Sequence, residues 1–144
     1  MAPVFADVNE QAIQPFLDGD ISQQEAFDEA SVPMKTFMAE HTREKDLQLF
    51  LRYGGYEMPD RIEDIPLSAL IPAFTISELK TAFQIGFMIY VPFLVIDMVV
   101  ASVLMSMGML MLPPVMISLP FKILLFVLVD GWYLIVQSVL ASYQ

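Results

Sequence analysis

Long apolar runs occupy the second half of the chain, whereas polar and apolar residues are mixed throughout the first half. Residues 82–112 form a run of 31 positions with one charged residue, and residues 121–140 form a run of 20 with two. A helix needs about 20 apolar residues to cross the roughly 30 Å of hydrocarbon in a bilayer. Both runs are therefore long enough to span a membrane as helices.

Prolines predict where these runs bend. A proline within a helix removes one backbone hydrogen bond and clashes with the preceding turn. Because Pro92 lies inside the first run, we expect a shorter helix before it and a longer one from Phe93 to about Met107. Three more prolines fall between Leu112 and Pro120, which predicts a turn and a helical hairpin around it. This turn is apolar, so we expect it to be buried in protein or to line a closed path.

Three ionisable residues interrupt the apolar half, namely Asp97, Lys122 and Asp130. A charge at the middle of a bilayer costs at least about 2.5 to 3.5 kcal/mol, so such residues are usually paired or face water. Lys122 has a side chain long enough to reach an interface, but an aspartate does not. We expect Asp97 or Asp130 to meet Lys122, across the hairpin or between subunits, and Asp130 to be a second buried charge. The alternative is a hairpin held by packing alone.

Methionines recur at every second position from Met105 to Met111. Successive methionines of this series would lie about 200° apart on a helix, whereas in an extended segment all of them share one face. Gly108 and the prolines that follow favour the end of a helix and a loop that presents the thioethers together. Because methionine adapts to varied surfaces, such a loop would act as a deformable seal in a ring-shaped assembly. The alternative is an ordinary methionine-rich core.

The polar half predicts helices with identifiable starts. A short polar residue followed three positions later by glutamate has the spacing of a capping box. This spacing occurs at Asp7 and Glu10, at Ser22 and Glu25, and at Thr75 and Glu78. A longer helix is predicted after Ser31 and Pro33, from Met34 to Arg52, ended by Gly54 and Gly55, and residues 56–66 form a polar connector. We expect the helix that starts at Thr75 to continue into the first apolar run.

The sequence therefore predicts an all-α, membrane-associated protein with a polar helical region, residues 1–80, followed by a hydrophobic helical hairpin, residues 81–144. The net charge is −10. Residues 1–80 hold 15 acids and 6 bases, whereas residues 81–144 hold only two aspartates and one lysine. Nucleic-acid binding requires cations that displace the counterions of phosphates, so this composition excludes a nucleic-acid partner.

Signatures of catalysis and of metal binding are missing from the sequence. The chain has no cysteine, and its one histidine, His41, lies among charged residues on a predicted helix. Gly54 and Gly55 lack the lysine and hydroxyl residue that continue a phosphate-binding loop. We predict no enzyme, no metal site and no cofactor. The first residues also lack the positive and apolar regions of a secretory signal, so we expect no targeting segment at the front.

Ordered motifs across the chain resemble one family. IPAFTISELKTAFQIGF at 71–87, VPFLVIDMVVASVLMSMGMLMLPP at 91–114 and LPFKILLFVLVDGW at 119–132 are similar to the FliP family, the flagellar branch of the type III export-gate proteins. The injectisome counterparts are called SctR. Residues 14–52 resemble the polar domain of that family, including its TRE-DL core. The resemblance extends over essentially the whole chain.

The resemblance implies a transport protein and not an enzyme. Members of the family form all-helical subunits that assemble as five copies with FliQ and FliR. The assembly is a gate in the flagellar basal body at the bacterial inner membrane, through which unfolded flagellar proteins leave the cytoplasm. FlhB and other export components are implied as further partners. Energy comes from the proton-motive force and from an associated ATPase, neither of which resides in this subunit.

The resemblance also implies roles for particular residues. The loop that matches Met109, Leu110 and Met111 closes the channel as a methionine gasket, and the residues that match Asp97 and Lys122 form a pair. Members often have three consecutive methionines in the gasket, so Leu110 predicts a stiffer apolar contact. The family's gate lies largely above the bilayer plane, so the apolar helices are expected either in lipid or against neighbouring subunits.

Two other interpretations stay open. Family members normally begin with a signal peptide and further apolar segments, so this sequence resembles only their C-terminal part. We therefore expect a truncated or split family member, which includes the alternative of a non-functional fragment. The other alternative is a membrane-anchored assembly scaffold, in which the acidic half binds a partner and the hairpin only holds it in place.

Overall fold

The computed structural model describes residues 1–108 and 111–144, and every regular element within these ranges is helical. The all-α class predicted from the sequence is therefore confirmed. The α-helices are α1 (Ala2–Val8), α2 (Gln14–Leu17), α3 (Gln23–Glu40), α4 (Glu44–Gly54), α5 (Leu67–Ser106), α6 (Pro114–Leu128) and α7 (Gly131–Ala141). A π-helix, Asn9–Ile13, joins α1 to α2, and a short 3-10 helix, Ile62–Asp64, precedes α5.

The chain divides into two compact units, Met1–Phe83 and Gln84–Gln144. In the first unit, α1, the π-helix and α2 pack along α3. The core of this unit is built from α3, α4 and the beginning of α5, and removing its aliphatic side chains from water stabilises the fold. Its buried members are Met38, Leu47, Leu51, Ile65, Ala69, Leu70 and Ala73.

Two predicted helix ends in the first unit are confirmed. Before α3, the Glu25 backbone N–H donates to Ser22 Oγ at 3.3 Å and the Ser22 backbone N–H donates to Glu25 Oε2 at 2.8 Å, which is a reciprocal capping box. After α4, Gly55 has a φ of 72°, and the Tyr56 N–H bonds back to the Leu51 carbonyl at 2.9 Å. A glycine suits this left-handed position because it has no Cβ.

Three expectations for the first unit are wrong. The helix predicted over residues 34–52 is interrupted at residues 41–43, where Thr42 Oγ1 donates to the Met38 carbonyl at 2.6 Å and the chain turns into α4. Asp7 and Thr75 are not caps, because α1 and α5 have already begun upstream of them. The Thr75 hydroxyl instead donates to the Ile71 carbonyl within the helix, at 2.9 Å.

The second unit contains the remainder of α5, α6 and α7. α5 continues without interruption through Pro92, so the predicted break at that residue is wrong. A proline removes a single backbone hydrogen bond, and the apolar turns on both sides continue the helix. The predicted end near Met107 is confirmed, because α5 ends at Ser106 and Gly108 has a φ of 75°.

The second apolar run folds differently from the single helix that was expected. α6 begins at Pro114, so the observed turn is shorter than the predicted one. Pro114 suits the first turn of the helix, because the N–H that proline lacks would have no partner there. Pro120 lies inside the helix. The run then breaks after Leu128, and α7 leaves at an angle of 58° to α6. α5 and α6 form the predicted helical hairpin.

By length and composition, α5 fits a membrane span, and α6 with α7 fits one as a bent pair. Only 6% of the most apolar segment of α5 is buried within the chain. The large side chains of this unit are exposed as well, including Phe87, Val99, Leu124 and Leu134. Apolar surface of this extent requires lipid or another protein to cover it.

Candidate functional site

Two charged residues of the second unit, Asp97 and Lys122, meet at one point between α5 and α6. Ser118 and Lys122 lie four residues apart and therefore on the same face of α6. The Lys122 Nζ donates to Asp97 Oδ2 at 2.7 Å, and the Ser118 Oγ donates to Asp97 Oδ1 at 2.5 Å. Both oxygens of the α5 carboxylate are thus held by one turn of α6. We refer to these three residues as the charge clamp.

The charge clamp is largely removed from water. Ser118 is fully buried, and the side chains of Lys122 and Asp97 are 19% and 23% exposed. A buried ion pair contributes little net stability, but the loss of one partner leaves the other charge uncompensated, and that costs a great deal. The clamp therefore fixes which residues of α5 and α6 face each other. Its contacts hold α5 and α6 together, which is a structural role.

Apolar surfaces flank the charge clamp. The ring centroids of Phe93 on α5 and Phe126 on α6 are 6.3 Å apart. An open apolar groove of about 520 Å³ runs between the two helices. Its lining includes Val95, Val99, Val103, Met107, Ile117 and Phe121. An ion pair in such surroundings is poorly screened by salt.

Ser118 was missed by the analysis of the sequence. It is the only hydroxyl residue of α6, and it lies one helical turn before Lys122. A serine four residues from a lysine inside an apolar helix is a signal that points to a shared partner. Its hydroxyl also lies 3.0 Å from the Val115 carbonyl, which is the usual contact of a serine within its own helix.

Asp130 is not part of the charge clamp. It lies in the break between α6 and α7 with a φ of 51°, and its side chain is exposed in the single chain, so its burial in an assembly stays a prediction. The residue after it, Gly131, is buried. A Cβ on Gly131 would lie 2.5 Å from the Phe126 ring, and that ring meets Trp132 edge-on at 5.5 Å. The contact of Gly131 with Phe126 therefore requires glycine at this bend.

The predicted gasket falls at the edge of the described residues. Met109 and Leu110 lie outside them, and Met111 is 97% exposed. Met105 and Met107, which precede the gasket, are also exposed. In the single chain these three thioethers are outward-facing and are not part of a core. The gasket role of the loop stays a prediction.

A second polar cluster joins α4 to α5 in the first unit. The buried Ser77 Oγ donates to Asp46 Oδ2 at 2.7 Å and accepts from the Arg43 backbone N–H at 3.0 Å. The Arg43 guanidinium donates to the Ser77 carbonyl at 2.6 Å and to Thr81 Oγ1 at 3.0 Å. Arg43 and Asp46 belong to the TRE-DL core, so this motif attaches α4 to α5. No pattern in the sequence indicated a role for Ser77.

Within residues 1–108 and 111–144, no group of three or more histidine, cysteine, aspartate or glutamate side chains is arranged to hold a metal ion. The His41 Nδ1 lies 2.9 Å from the Phe37 carbonyl, and the two rings are 4.4 Å apart. These contacts place His41 at the end of α3 in a structural role.

Comparisons with known proteins agree with the resemblance. The FliP family matches residues 1–139. The chain is 66% identical over 143 residues to the flagellar biosynthetic protein FliP of Bacillus subtilis, covering 99% of this chain and 65% of that protein. It is 53% identical over 144 residues to the protein of the same name from Caulobacter vibrioides, covering 100% of this chain and 54% of that protein. The corresponding protein of Aquifex aeolicus is 49% identical over 146 residues, covering 100% of this chain and 61% of that protein. The chain thus spans between half and two thirds of the length of these relatives.

Proposed function

The chain belongs to the FliP family, and on that premise we propose that it is a subunit of the flagellar type III protein export gate. Several copies, five by the resemblance, assemble with FliQ and FliR in the bacterial inner membrane at the flagellar basal body. FlhB and other export components contact the gate, and unfolded flagellar proteins pass through it. The family match over residues 1–139 is the observation that carries this proposal. The role is transport in the service of flagellum assembly, without a chemical reaction.

The exposed apolar helices support an assembled state. α5, α6 and α7 present large apolar side chains that a single chain leaves uncovered. Neighbouring subunits or lipid cover such a surface and exclude water from it. A ring of copies accounts for helices that have the composition of membrane spans and that still pack against protein.

The charge clamp supports a fixed position for residues 107–113 between α5 and α6, which we call the methionine loop. α5 ends at Ser106 and α6 begins at Pro114, so the loop between them is short and tethered at both ends. Because Asp97 is held by Ser118 and Lys122, the two helices cannot slide past each other without breaking both hydrogen bonds. The loop therefore has the same position relative to α5 and α6 in every copy of a ring.

The loop itself supplies the seal in this proposal. Met109, Leu110 and Met111 from each copy close the passage, and their flexible side chains move aside when a chain passes. The 97% exposure of Met111 in the single chain supports a role in contacts with other copies. An apolar constriction of this kind blocks hydrated ions because it cannot replace their water.

Complementation tests the function. A flagellated strain that lacks its export-gate subunit is supplied with this chain alone, and in a second arm with this chain and the front portion of a relative as a separate polypeptide. Export of flagellar protein and motility are measured. Restored motility in either arm supports a gate subunit. Assembly into the basal body without export in both arms favours the scaffold, and the absence of assembly favours a non-functional fragment.

A further inference from the structure

The charges of the apolar unit do not balance. Residues 84–144 contain two acids, Asp97 and Asp130, and one base, Lys122. Lys122 already donates to Asp97 at 2.7 Å. A charge within the apolar layer of a membrane protein is normally paired with an opposite charge or faces water. The second unit therefore has one carboxylate, that of Asp130, for which it contains no cation.

Asp130 is not used within its own helix either. An aspartate at the N-cap of a helix usually accepts a hydrogen bond from a backbone N–H of the first turn. Asp130 occupies the N-cap position of α7, but its side chain accepts no such bond. In the part of the chain that the structure describes, the ion pairs are Arg61 with Glu63 and Lys122 with Asp97, and neither involves Asp130. Helix capping therefore does not account for an aspartate at this bend.

An apolar cleft begins at Asp130. The residues on either side of it, Val129 and Gly131, both line an open cleft of about 290 Å³ between α5, α6 and α7. A second cleft of about 420 Å³ shares the lining residues Ile89 and Leu134 with the first and continues between α5 and α7. We call the two together the bend cleft. Asp130 thus lies at the edge of an apolar surface that the single chain leaves open.

Large apolar side chains extend this surface on both sides of Asp130. Leu128 is 74% exposed and Trp132 is 72% exposed. A groove between helices accepts an apolar helix whose side chains enter it at successive turns. Such a helix would also cover Asp130, and without a cation of its own it would leave the carboxylate unpaired. Shape and charge therefore select the same partner, which is an apolar helix with one cationic side chain.

The apolar half of a second copy cannot supply this cation, because its one lysine, Lys122, is held by Asp97 in every copy. We propose that the bend cleft binds an apolar transmembrane helix of a different membrane protein, and that a single lysine or arginine in that helix pairs with Asp130. This inference rests on the proposed function, in which the chain assembles with other membrane proteins. It names the chemistry by which one of them is recognised.

Energy transfer between fluorescent labels in phosphatidylcholine liposomes tests the site in the full chain. The chain contains no cysteine, so Gln144→Cys provides a single labelling position. The probes are labelled, leucine-rich synthetic helices of about 20 residues with lysine, leucine or glutamate at the central position. The lysine helix is expected to bind on the order of tenfold more tightly than the leucine helix, and the glutamate helix less tightly than the leucine helix.

Substitutions at Asp130 identify the group responsible. Asp130→Asn keeps the shape of the side chain, and asparagine tolerates the left-handed backbone at a φ of 51°. It is expected to abolish the preference for the lysine helix and to leave binding of the leucine helix unchanged. Asp130→Lys is expected to transfer the preference to the glutamate helix. Circular dichroism checks that each variant keeps its helical content.

A relocated acid is the matched control. Asp130→Asn with Gln137→Asp moves the carboxylate to an exposed position of α7 that does not line the bend cleft. This variant has the same net charge as the unmodified chain and is expected not to restore the preference for the lysine helix. Full restoration would show that any exposed acid of the unit is sufficient, and would overturn the role of the bend cleft.

Other outcomes also decide against the proposal. Equal binding of the lysine and leucine helices, or a preference that persists in Asp130→Asn, would overturn it. Lys80 is the one cation of α5 and is exposed. Energy transfer between two differently labelled copies that is lost both in Asp130→Asn and in Lys80→Gln would identify a second copy as the occupant and exclude a different protein.

The liposome experiment is independent of the complementation experiment. If the lysine helix is not preferred but complementation restores motility, the proposed function stands and the inference about Asp130 falls. If the lysine helix is preferred but complementation fails, the site at the bend cleft stands and the proposed function falls.

Discussion

Asp97 on α5 accepts a hydrogen bond from Ser118 on α6 at 2.5 Å, and this leaves its second oxygen for Lys122 at 2.7 Å. A serine and a lysine one helical turn apart thus each donate to one oxygen of the same carboxylate. The three polar groups supply one another's hydrogen bonds in otherwise apolar surroundings. The same contacts set the register of the two helices that bracket the methionine loop.

The first prediction concerns the ion pair. Asp97→Ala or Lys122→Ala leaves the remaining charge without its partner, so each change is expected to reduce assembly and export severely. The double variant is expected to lose less than the sum of the two, with a coupling of about 0.5 to 3 kcal/mol in a double-mutant cycle on assembled fraction. The exposed pair of Arg61 and Glu63, with N and O atoms 3.9 Å apart, is the matched control and is expected to show almost no coupling. Purely additive losses at Asp97 and Lys122 would disprove the pair.

The second prediction concerns Ser118. Ser118→Ala removes a buried donor and leaves one Asp97 oxygen unsatisfied, which is expected to destabilise the hairpin by about 1 to 3 kcal/mol. Ser102→Ala is the control, because the Ser102 hydroxyl is exposed and bonds only to a carbonyl of its own helix, that of Met98. Thermal unfolding of the detergent-solubilised chain measures both variants. Equal effects of the two substitutions would refute the role of Ser118 in the clamp.

The third prediction concerns the bend between α6 and α7. Gly131→Ala places a Cβ 2.5 Å from the Phe126 ring and is expected to destabilise the chain by about 1 to 3 kcal/mol through overpacking. Gly86→Ala is the control, because a Cβ at Gly86 meets nothing within 4 Å and alanine is the better helix former. Thermal unfolding is expected to move in opposite directions for the two variants. A neutral Gly131→Ala would show that Phe126 moves aside freely.

The fourth prediction concerns pH and the cap of α3. Hydrogen bonds from Ser22, first from its backbone N–H and then from its side chain, hold the pKa of Glu25 below its ordinary value of 4.5. A lowered pKa in the folded state means that the stabilisation is present above pH 4.5 and is lost as the pH falls through the lowered value. Amide hydrogen exchange in the first turn of α3, compared with the intrinsic exchange rate at each pH, is expected to show less protection below that pH. In Glu25→Gln this additional loss of protection should be absent, and its persistence would assign the effect to another group.

The sequence was sufficient to predict the elements whose cause is local or compositional. The apolar runs, the Ser22 cap and the helix end at Gly55 each depend on a few neighbouring residues. Pro92 did not break α5, because the long apolar helix on both sides outweighs the loss of one backbone bond. The interruption at residues 41–43 was missed, since it depends on how α4 must turn for Leu47 and Leu51 to reach the core.

The candidate site was only partly accessible to sequence reasoning. The cost of a charge in apolar surroundings singles out Asp97 and Lys122, and the structure brings the two side chains together. Their role in a gate stays a prediction. Ser118 was overlooked because a serine inside a helix usually bonds to its own backbone. Asp130 is exposed in the single chain because it lies in the break before α7 with a φ of 51°, and no period of apolar residues in the sequence indicates that break.

Ion conductance of the assembled gate tests whether the methionine loop seals a passage between copies. Met109→Ala with Met111→Ala is expected to raise the leak of small ions while the copies still assemble. Met98→Ala with Met116→Ala changes two exposed methionines outside the loop and is expected to leave the leak at its original level. A leak that stays unchanged in the assembled Met109→Ala, Met111→Ala variant would contradict the seal and favour a scaffold.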